Sequence, residues 1–264
     1  KLLKVADNMQ RAVFWDPLEG FYSYKLGTAK YYLDDSEEAS KQYILAARKN
    51  PFDGIFLQQL GLLAEVESGK KLLEEGYKRG LDKDSLALTY AEWLLWNGRR
   101  EEAKELLADR LSRGNGKIID WMALLNSYSF SRQDIAEILP ATVDSWILYG
   151  RYCEKKENYS DALFFFNTAA DFLTDALDPA PTWFREIIHF YRRQGLEAKS
   201  LAVLRQAVER VADSVYFHIL LGDYYRHQGL SYRAKEEFER ALILDPANRQ
   251  ARSKLRRLGY GDSY

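Results

Sequence analysis

The sequence predicts an all-α solenoid of about six to seven stacked helix pairs with a C-terminal capping helix. Two observations lead to this class. Residues 215–248 have the pattern of a complete helix–turn–helix unit, and the same pattern returns at residues 181–214, one period of 34 residues upstream. Because each unit of such an array buries its apolar face on its neighbour, a chain of 264 residues needs no single central core.

The last unit has the clearest pattern of small and large residues. Its skeleton consists of Leu221, Gly222, Tyr225, Gly229, Ala234, Phe238, Ala241 and Pro246. One period upstream the matching positions hold Ile187, Tyr191, Gly195, Ser200, Leu204 and Ala207. Small residues at a helix crossing allow close approach, and we expect the bulky residues to fill the space between successive units. A larger side chain at a small position is expected to destabilise the array by about 1–3 kcal/mol.

This skeleton resembles the tetratricopeptide repeat (TPR) family, and the resemblance extends over nearly the whole chain. It implies a right-handed superhelix whose first helices line a concave surface. It also implies a non-catalytic scaffold that holds a protein or peptide in that groove. We therefore expect no enzymatic activity from these residues.

Four regions are predicted along the chain. Residues 1–19 read as the second helix of a truncated unit, which ends at Asp16-Pro17. Residues 20–141 form the N-terminal units, with a shortened turn expected at Ser68-Gly69 and a degenerate last unit at 116–141. The C-terminal units follow at 142–248, interrupted by a loop near Asp178–Pro181. Residues 249–264 form a capping helix and tail, with Ala251, Leu255 and Leu258 on one face.

Charge argues against several partner classes. The net charge is −1, so we expect no binding to nucleic acid and no electrostatic attraction to an anionic membrane. The charges are uneven, because residues 181–264 have 15 Lys and Arg against 10 Asp and Glu, a net of +5. This imbalance indicates a basic C-terminal surface.

The sequence contains no recognisable catalytic or cofactor motif. It lacks a glycine-rich phosphate loop, paired histidines at metal-ligand spacing and a nucleophile elbow, so no cofactor and no metal are predicted. The single cysteine, Cys153, is expected between helices as a small apolar residue. His218 is predicted to pack between helices. The acidic run at Glu236, Glu237 and Glu239 is predicted on an outer, solvated face.

The register of the first helices predicts the residues of the groove. The N-terminal candidates are mostly aromatic and apolar, namely Phe21, Tyr24, Thr28 and Tyr31, then Gln58, Leu62, Glu65, Leu88, Glu92 and Leu95. The C-terminal candidates are predominantly basic, namely Arg151, Arg185, His189, Arg192, Asp223 and Arg226, with Ile147, Glu154 and Ile219. Arginine forks suit carboxylates or phosphates, and tyrosine faces suit peptide side chains or sugar rings. The alternative is that these arginines pair with Glu154, Asp223 and nearby carboxylates on a solvated face.

The sequence does not identify the ligand. The TPR clamp for acidic C-termini needs lysine and asparagine at inward positions, where this chain has Tyr24, Thr28, Ile147 and Arg151, so that specificity is not carried over. An acidic peptide and a glycan are both retained. Residues 12–35 resemble the soluble repeat tail of bacterial O-antigen ligase or polymerase-type membrane proteins; their sequence is AVFWDPLEGFYSYKLGTAKYYLDD. This resemblance suggests the glycan.

The opening residue suggests that the chain is part of a longer protein. It begins at Lys1, within a predicted helix, and no apolar run approaches the roughly 20 residues that span a bilayer. We expect that any membrane contact, targeting segment or catalysis would come from missing parts of the parent protein. Bacterial cytoplasm and periplasm are both compatible with the sequence.

Overall fold

A computed structural model describes residues 1–80, 83–113 and 118–259, without the side chains of 118–120. These ranges contain sixteen helices and no strand, which confirms the predicted all-α class. The chain divides into two compact units, unit 1 from Lys1 to Pro140 and unit 2 from Ala141 to Tyr264.

Unit 1 begins with a single helix, α1, that packs on the first helix pair through Ala6, Leu26 and Ala29. Three full pairs follow, and then a short pair whose second helix has only seven residues. The helices are α1 Leu2–Trp15, α2 Gly20–Tyr31, α3 Ser36–Lys49, α4 Gly54–Leu63, α5 Val66–Lys78, α6 Asp84–Trp96, α7 Arg100–Ser112, α8 Ile118–Ser127 and α9 Arg132–Ile138. The short stub predicted before Pro140 is thus present as α9.

Unit 2 contains three helix pairs and a terminal helix. These helices are α10 Val143–Lys155, α11 Tyr159–Asp175, α12 Pro181–Arg193, α13 Glu197–Arg210, α14 Val215–His227, α15 Ser231–Leu244 and α16 Arg249–Arg257. In α16, Ala251 and Leu255 are buried against α15, and its basic residues point away from that contact. The predicted capping helix is therefore confirmed.

A common turn joins the two helices of most pairs. One residue adopts a left-handed conformation, and the N–H of the next residue donates to the carbonyl five residues earlier, as from Leu230 to Tyr225. This is the Schellman ending of a helix. The left-handed position holds glycine in three turns and another residue in three, namely Gly98, Gly195, Gly229, Asp34, Ser129 and Glu157.

The small-to-large pattern produces ring-on-glycine contacts inside each pair. A Cβ at Gly222 would lie 2.5 Å from the Phe238 ring, and the same contact joins Gly150 to Phe166 at 2.8 Å. These rings were predicted to fill the space between successive units. The structure corrects this in part, because each ring first covers the glycine of its own pair. Phe166 does reach the next pair, where it stacks on Phe190 at 3.9 Å between ring centroids.

The second pair of unit 1 departs from the prediction. Ser68 and Gly69, expected in a turn, lie within α5, and the connection is the two residues Ala64 and Glu65. The helices approach so closely that a Cβ at Gly69 would lie 2.7 Å from the Gly61 carbonyl oxygen. Gly69 therefore allows the backbones of the two helices to cross closely. The sequence pattern does not distinguish such a glycine from a glycine in a turn.

A second correction concerns the acidic run on α15. Glu237 was predicted on a solvated face, but it is buried and its Oε2 lies 2.7 Å from Nδ1 of His218. The other ring nitrogen of His218 lies 3.3 Å from the Ala212 carbonyl oxygen. His218 is buried between helices as predicted, and the carboxylate satisfies the polar ring there.

Candidate peptide-binding surfaces

The aromatic residues predicted on α2 divide into accessible and covered ones. Phe21 and Tyr31 are exposed, at 48% and 47% of their surface. Tyr24 is half-buried and lies against Phe56, with ring centroids 5.2 Å apart. The Thr28 hydroxyl donates to the Tyr24 carbonyl, and it accepts a hydrogen bond from the Tyr43 hydroxyl at 3.3 Å. Two of the four side chains can therefore meet a ligand without rearrangement.

Four residues predicted on the inner surface are buried instead. Three of them lie three residues before the glycine at which their helix crosses its partner, and therefore only about 60° from that glycine around the helix axis. These are Gln58, Ile147 and Ile219. They therefore turn toward the neighbouring helix. Gln58 illustrates the result, because its amide donates to the carbonyls of two other helices. Leu95, four residues after its small position, is buried for the same reason.

The basic residues predicted on α12 form a stripe, which we call the basic face. It consists of Arg185, His189 and Arg192, spaced four and three residues apart, together with Tyr216 of α14. Nε2 of His189 lies 2.7 Å from the Tyr216 hydroxyl oxygen. Arg192 also borders a pocket of about 300 Å³ with Leu220, Asp223, Tyr224 and His227 among its lining residues.

The nearby carboxylates of unit 2 pair with other cations. Glu154 accepts two hydrogen bonds from Arg193, at 2.9 and 2.8 Å. Both oxygens of Asp223 accept from Lys254, at 2.6 and 2.7 Å, and Asp223 lies 3.7 Å from Arg226. Asp223 is therefore held by unit 2 itself.

The pairing alternative thus applies to some of the candidate arginines only. Arg226 pairs with Asp223, and Arg151 lies 3.9 Å from Glu186. Within the described part of the chain, Arg185 and Arg192 have no carboxylate partner, although both are exposed. The basic face therefore presents two uncompensated guanidinium groups.

The imidazole of His189 lies in the field of these arginines. Burial, and then the charges of Arg192, Arg193 and Arg185, lower its pKa, while Glu186 acts in the opposite direction. Burial raises the pKa of Tyr216, against the influence of Arg185 and Arg192. The free protein therefore holds His189 neutral at pH 7, bonded to a neutral tyrosine.

Sequence reasoning missed three participants in this surface: Tyr216, Arg193 and Lys254. Tyr216 lies seven residues before Asp223, almost two full helical turns, so the register itself could have placed it on the inner face. Arg193 and Lys254 are contributed by a helix end and by the capping helix. Their pairing depends on how neighbouring helices meet, and no periodic signal encodes that.

The last helix pair matches a known repeat family. Residues 215–248 match the family model of the tetratricopeptide repeat. They comprise α14, its turn and α15 with the loop that follows. The matched unit contributes Tyr216 and Asp223 to the surface just described.

Solved structures resemble the chain at low identity. The crystal structure of the APC/C hetero-tetramer Cut9-Hcn1 matches at 13% identity with a TM-score of 0.40 and covers 98% of this chain. The match covers 46% of that chain, so our chain spans less than half its length. YrrB, described as a TPR protein with an unusual peptide-binding site, matches at 11% identity with a TM-score of 0.33, covering 95% of this chain and 99% of its own. No curated protein sequence matches the chain.

The thiol, the metal-ligand side chains and the apolar helices complete the chemistry of the described ranges. Cys153 is buried, as expected for a small apolar residue. Throughout the described residues, no group of three or more His, Cys, Asp or Glu side chains is arranged to hold a metal ion. In those residues no helix combines the length and the apolar character needed to cross a bilayer.

Proposed function

We propose that the chain is a non-catalytic interaction scaffold and that the basic face of unit 2 binds an acidic peptide segment. Support comes from the TPR match at residues 215–248 and from the helix pairs of both units. Stacked repeats present extended surfaces made by equivalent helices, which suits them to elongated partners.

The observation that carries the proposal is that Arg185 and Arg192 have no carboxylate partner in the described ranges, while Glu154 and Asp223 are held by Arg193 and Lys254. Seven residues along a helix correspond to about 10 Å of axial rise. A peptide in the polyproline II conformation has three residues per turn and rises about 3.1 Å per residue, so its side chains three residues apart lie on the same face, about 9 Å from each other. Two carboxylates at that spacing could each meet one guanidinium fork.

We expect the double variant Arg185→Ala/Arg192→Ala to bind such a peptide at least about tenfold more weakly, because two charge-assisted contacts together contribute on the order of 1.4 kcal/mol or more. The probes are fluorescein-labelled ten-residue peptides with two aspartates separated by one to five positions, and fluorescence anisotropy measures their affinity. The wild-type chain should prefer the spacing of three.

The matched control removes the same charge elsewhere in unit 2. Arg205 and Arg256 are exposed on α13 and α16, and Arg205→Ala/Arg256→Ala should retain binding to within about twofold. If the two double variants weakened peptide binding equally, the net charge of the chain alone would determine the affinity. That result, or no binding of any acidic peptide to the wild-type chain, would refute the proposal.

The same surface should bind more tightly in mild acid. Burial, and then the charges of the arginines, hold the pKa of His189 below its ordinary value near 6.5 in the free protein. A bound carboxylate offsets their field and raises that pKa, so binding takes up a proton in the window below about pH 6.5. We expect roughly two- to fivefold higher affinity for the aspartate peptide at pH 5.5 than at pH 8. Anisotropy titrations at the two pH values test this, and in His189→Gln the difference should vanish.

The resemblance to O-antigen ligase tails supplies a separate proposal, in which Phe21, Tyr24 and Tyr31 contact a glycan. Two exposed rings on α2, those of Phe21 and Tyr31, favour it, since sugars stack on accessible aromatic faces. A glycan array comparing the wild-type chain with Phe21→Ala/Tyr31→Ala decides it, because a glycan bound equally by both would exclude these rings.

A further inference from the structure

Unit 1 contains a second surface that the acidic-peptide proposal does not use. It is a pocket of about 600 Å³ formed mainly by the first helices of successive pairs, and we call it the aromatic pocket. Its lining residues are Tyr31, Gln59, Leu62, Ala64, Val66, Thr89, Glu92, Trp93, Trp96, Asn97 and Tyr128. Three of them, Tyr31, Leu62 and Glu92, were predicted on the groove from the register of their helices.

Four aromatic side chains contribute to this lining. Trp93 and Trp96 lie three residues apart on α6, and Trp96 is 82% exposed. In the described ranges, the rings of Trp93, Trp96 and Tyr128 do not pack on any other aromatic ring. Trp93 and Tyr128 are partly buried, so Trp96 presents the most accessible ring of the lining, and an indole this exposed offers much apolar area for a partner to cover.

The charged lining of the pocket is negative only. Glu92 is its single charged lining residue within the described chain, and this exposed carboxylate has no cationic partner there. Glu92 also acts on Tyr128, whose pKa is raised first by burial and then by this charge. An unpaired anion beside aromatic faces attracts a cation, because the rings present negative electrostatic potential on their faces.

The polar groups around Glu92 are suited to accepting hydrogen bonds. The amide N–H of Asn97 donates to the Trp93 carbonyl at 2.9 Å, which leaves the side-chain oxygen of Asn97 as an acceptor. Gln59 adds a second amide oxygen. A guanidinium has five N–H donors in a planar fork, whereas an ammonium is a compact point charge. Several separate acceptors and flat rings therefore favour arginine over lysine.

We propose that the aromatic pocket of unit 1 binds an arginine side chain of a partner peptide. The guanidinium stacks on the exposed indole of Trp96 and donates to the carboxylate of Glu92. Leu62 and Val66, which are 45% and 48% exposed, cover the aliphatic stem and a neighbouring apolar residue of the peptide. The site lies within unit 1, and its residues are separate from those of the basic face.

The test uses three blocked tripeptides in which leucine flanks arginine, lysine or the neutral isostere citrulline. Binding to the full chain is followed by tryptophan fluorescence and by the indole N–H resonances of Trp93 and Trp96 in NMR spectra. We expect the arginine peptide to bind at least about tenfold more tightly than the citrulline peptide and about threefold more tightly than the lysine peptide. The binding should shift the Trp96 resonance.

Two variants locate the charge that is recognised. Glu92→Gln should weaken binding of the arginine peptide about three- to tenfold, whereas Glu105→Gln, which removes an exposed carboxylate of α7 outside the lining, should change it less than twofold. Circular dichroism checks that both variants remain folded. Arg185→Ala/Arg192→Ala should leave this binding unchanged, so failure here and failure of the acidic-peptide proposal are separable.

Each contrary result has a definite meaning. Equal binding of the citrulline peptide would show that the pocket does not recognise charge, and equal or tighter binding of the lysine peptide would overturn the guanidinium assignment. Equal losses in the two glutamate variants would mean that a general field, and not Glu92, acts on the peptide. Any of these outcomes rejects the arginine site as proposed.

Discussion

Replacing Phe238 by alanine is expected to lower the free energy of unfolding by about 3–5 kcal/mol. The ring is fully buried on α15, where it covers Gly222 and packs in one cluster with Ile219, Leu242 and Leu255. Its removal leaves a cavity between α14 and α15, where the ring covers Gly222. Urea unfolding followed by circular dichroism at 222 nm measures the loss, and hydrogen exchange of α14–α16 locates it.

The matched control is Tyr232→Ala, which removes an aromatic ring of similar size from the same helix. Tyr232 is 69% exposed, so its loss should change stability by no more than about 0.5 kcal/mol. A Phe238→Ala variant within 1 kcal/mol of wild type would show that the last pair is not packed as described.

The ring-on-glycine contact can be checked independently. A Cβ at position 222 would meet the Phe238 ring at 2.5–3.0 Å. Because the far end of a leucine occupies less of this space, Gly222→Ala should be less damaging in a Phe238→Leu background than alone. Such non-additivity is expected for residues in direct contact.

The fold was predictable because small and large residues alternate at helix crossings over most of the chain. Gly222 with Phe238 and Gly150 with Phe166 are both contacts of this kind, and the cap followed from Ala251 and Leu255. What the pattern could not reveal is how close two backbones come. In the α4–α5 pair glycines occur on both helices, and a glycine in a helix crossing has the same sequence appearance as one in a turn.

The candidate site was predictable only in part, for a related reason. Helical register places Arg185, His189 and Arg192 on one face, and the structure has them there. Register does not say which charges are neutralised. That depends on side chains from other helices, such as Lys254 on the capping helix, which reaches Asp223. Whether an arginine has a carboxylate partner therefore depends on the tertiary structure, which helical register does not give.

Unit 1 should respond most strongly to an added methyl group at Gly54, where we expect Gly54→Ala to lower its stability by about 3 kcal/mol. A Cβ at this position would lie 2.0 Å from the carbonyl oxygen of Gly76 and 3.0 Å from Leu86. A backbone oxygen cannot rotate aside as a side chain can, so α4 must move away from α5. The movement also strains the two hydrogen bonds from Gln58 to the carbonyls of Leu73 and Leu86, at 3.2 and 2.8 Å.

The opposing effect is smaller, because alanine improves helix propensity over glycine by only about 1 kcal/mol. Ser68→Ala, an exposed change to alanine in α5, isolates that propensity gain and should be neutral or slightly stabilising. Urea unfolding of the three proteins, with hydrogen exchange of α4 and α5, measures the difference. If Gly54→Ala matched Ser68→Ala in stability, the close crossing of α4 and α5 at Gly54 and Gly76 would be wrong, since backbone contact at that distance leaves no room for a methyl group.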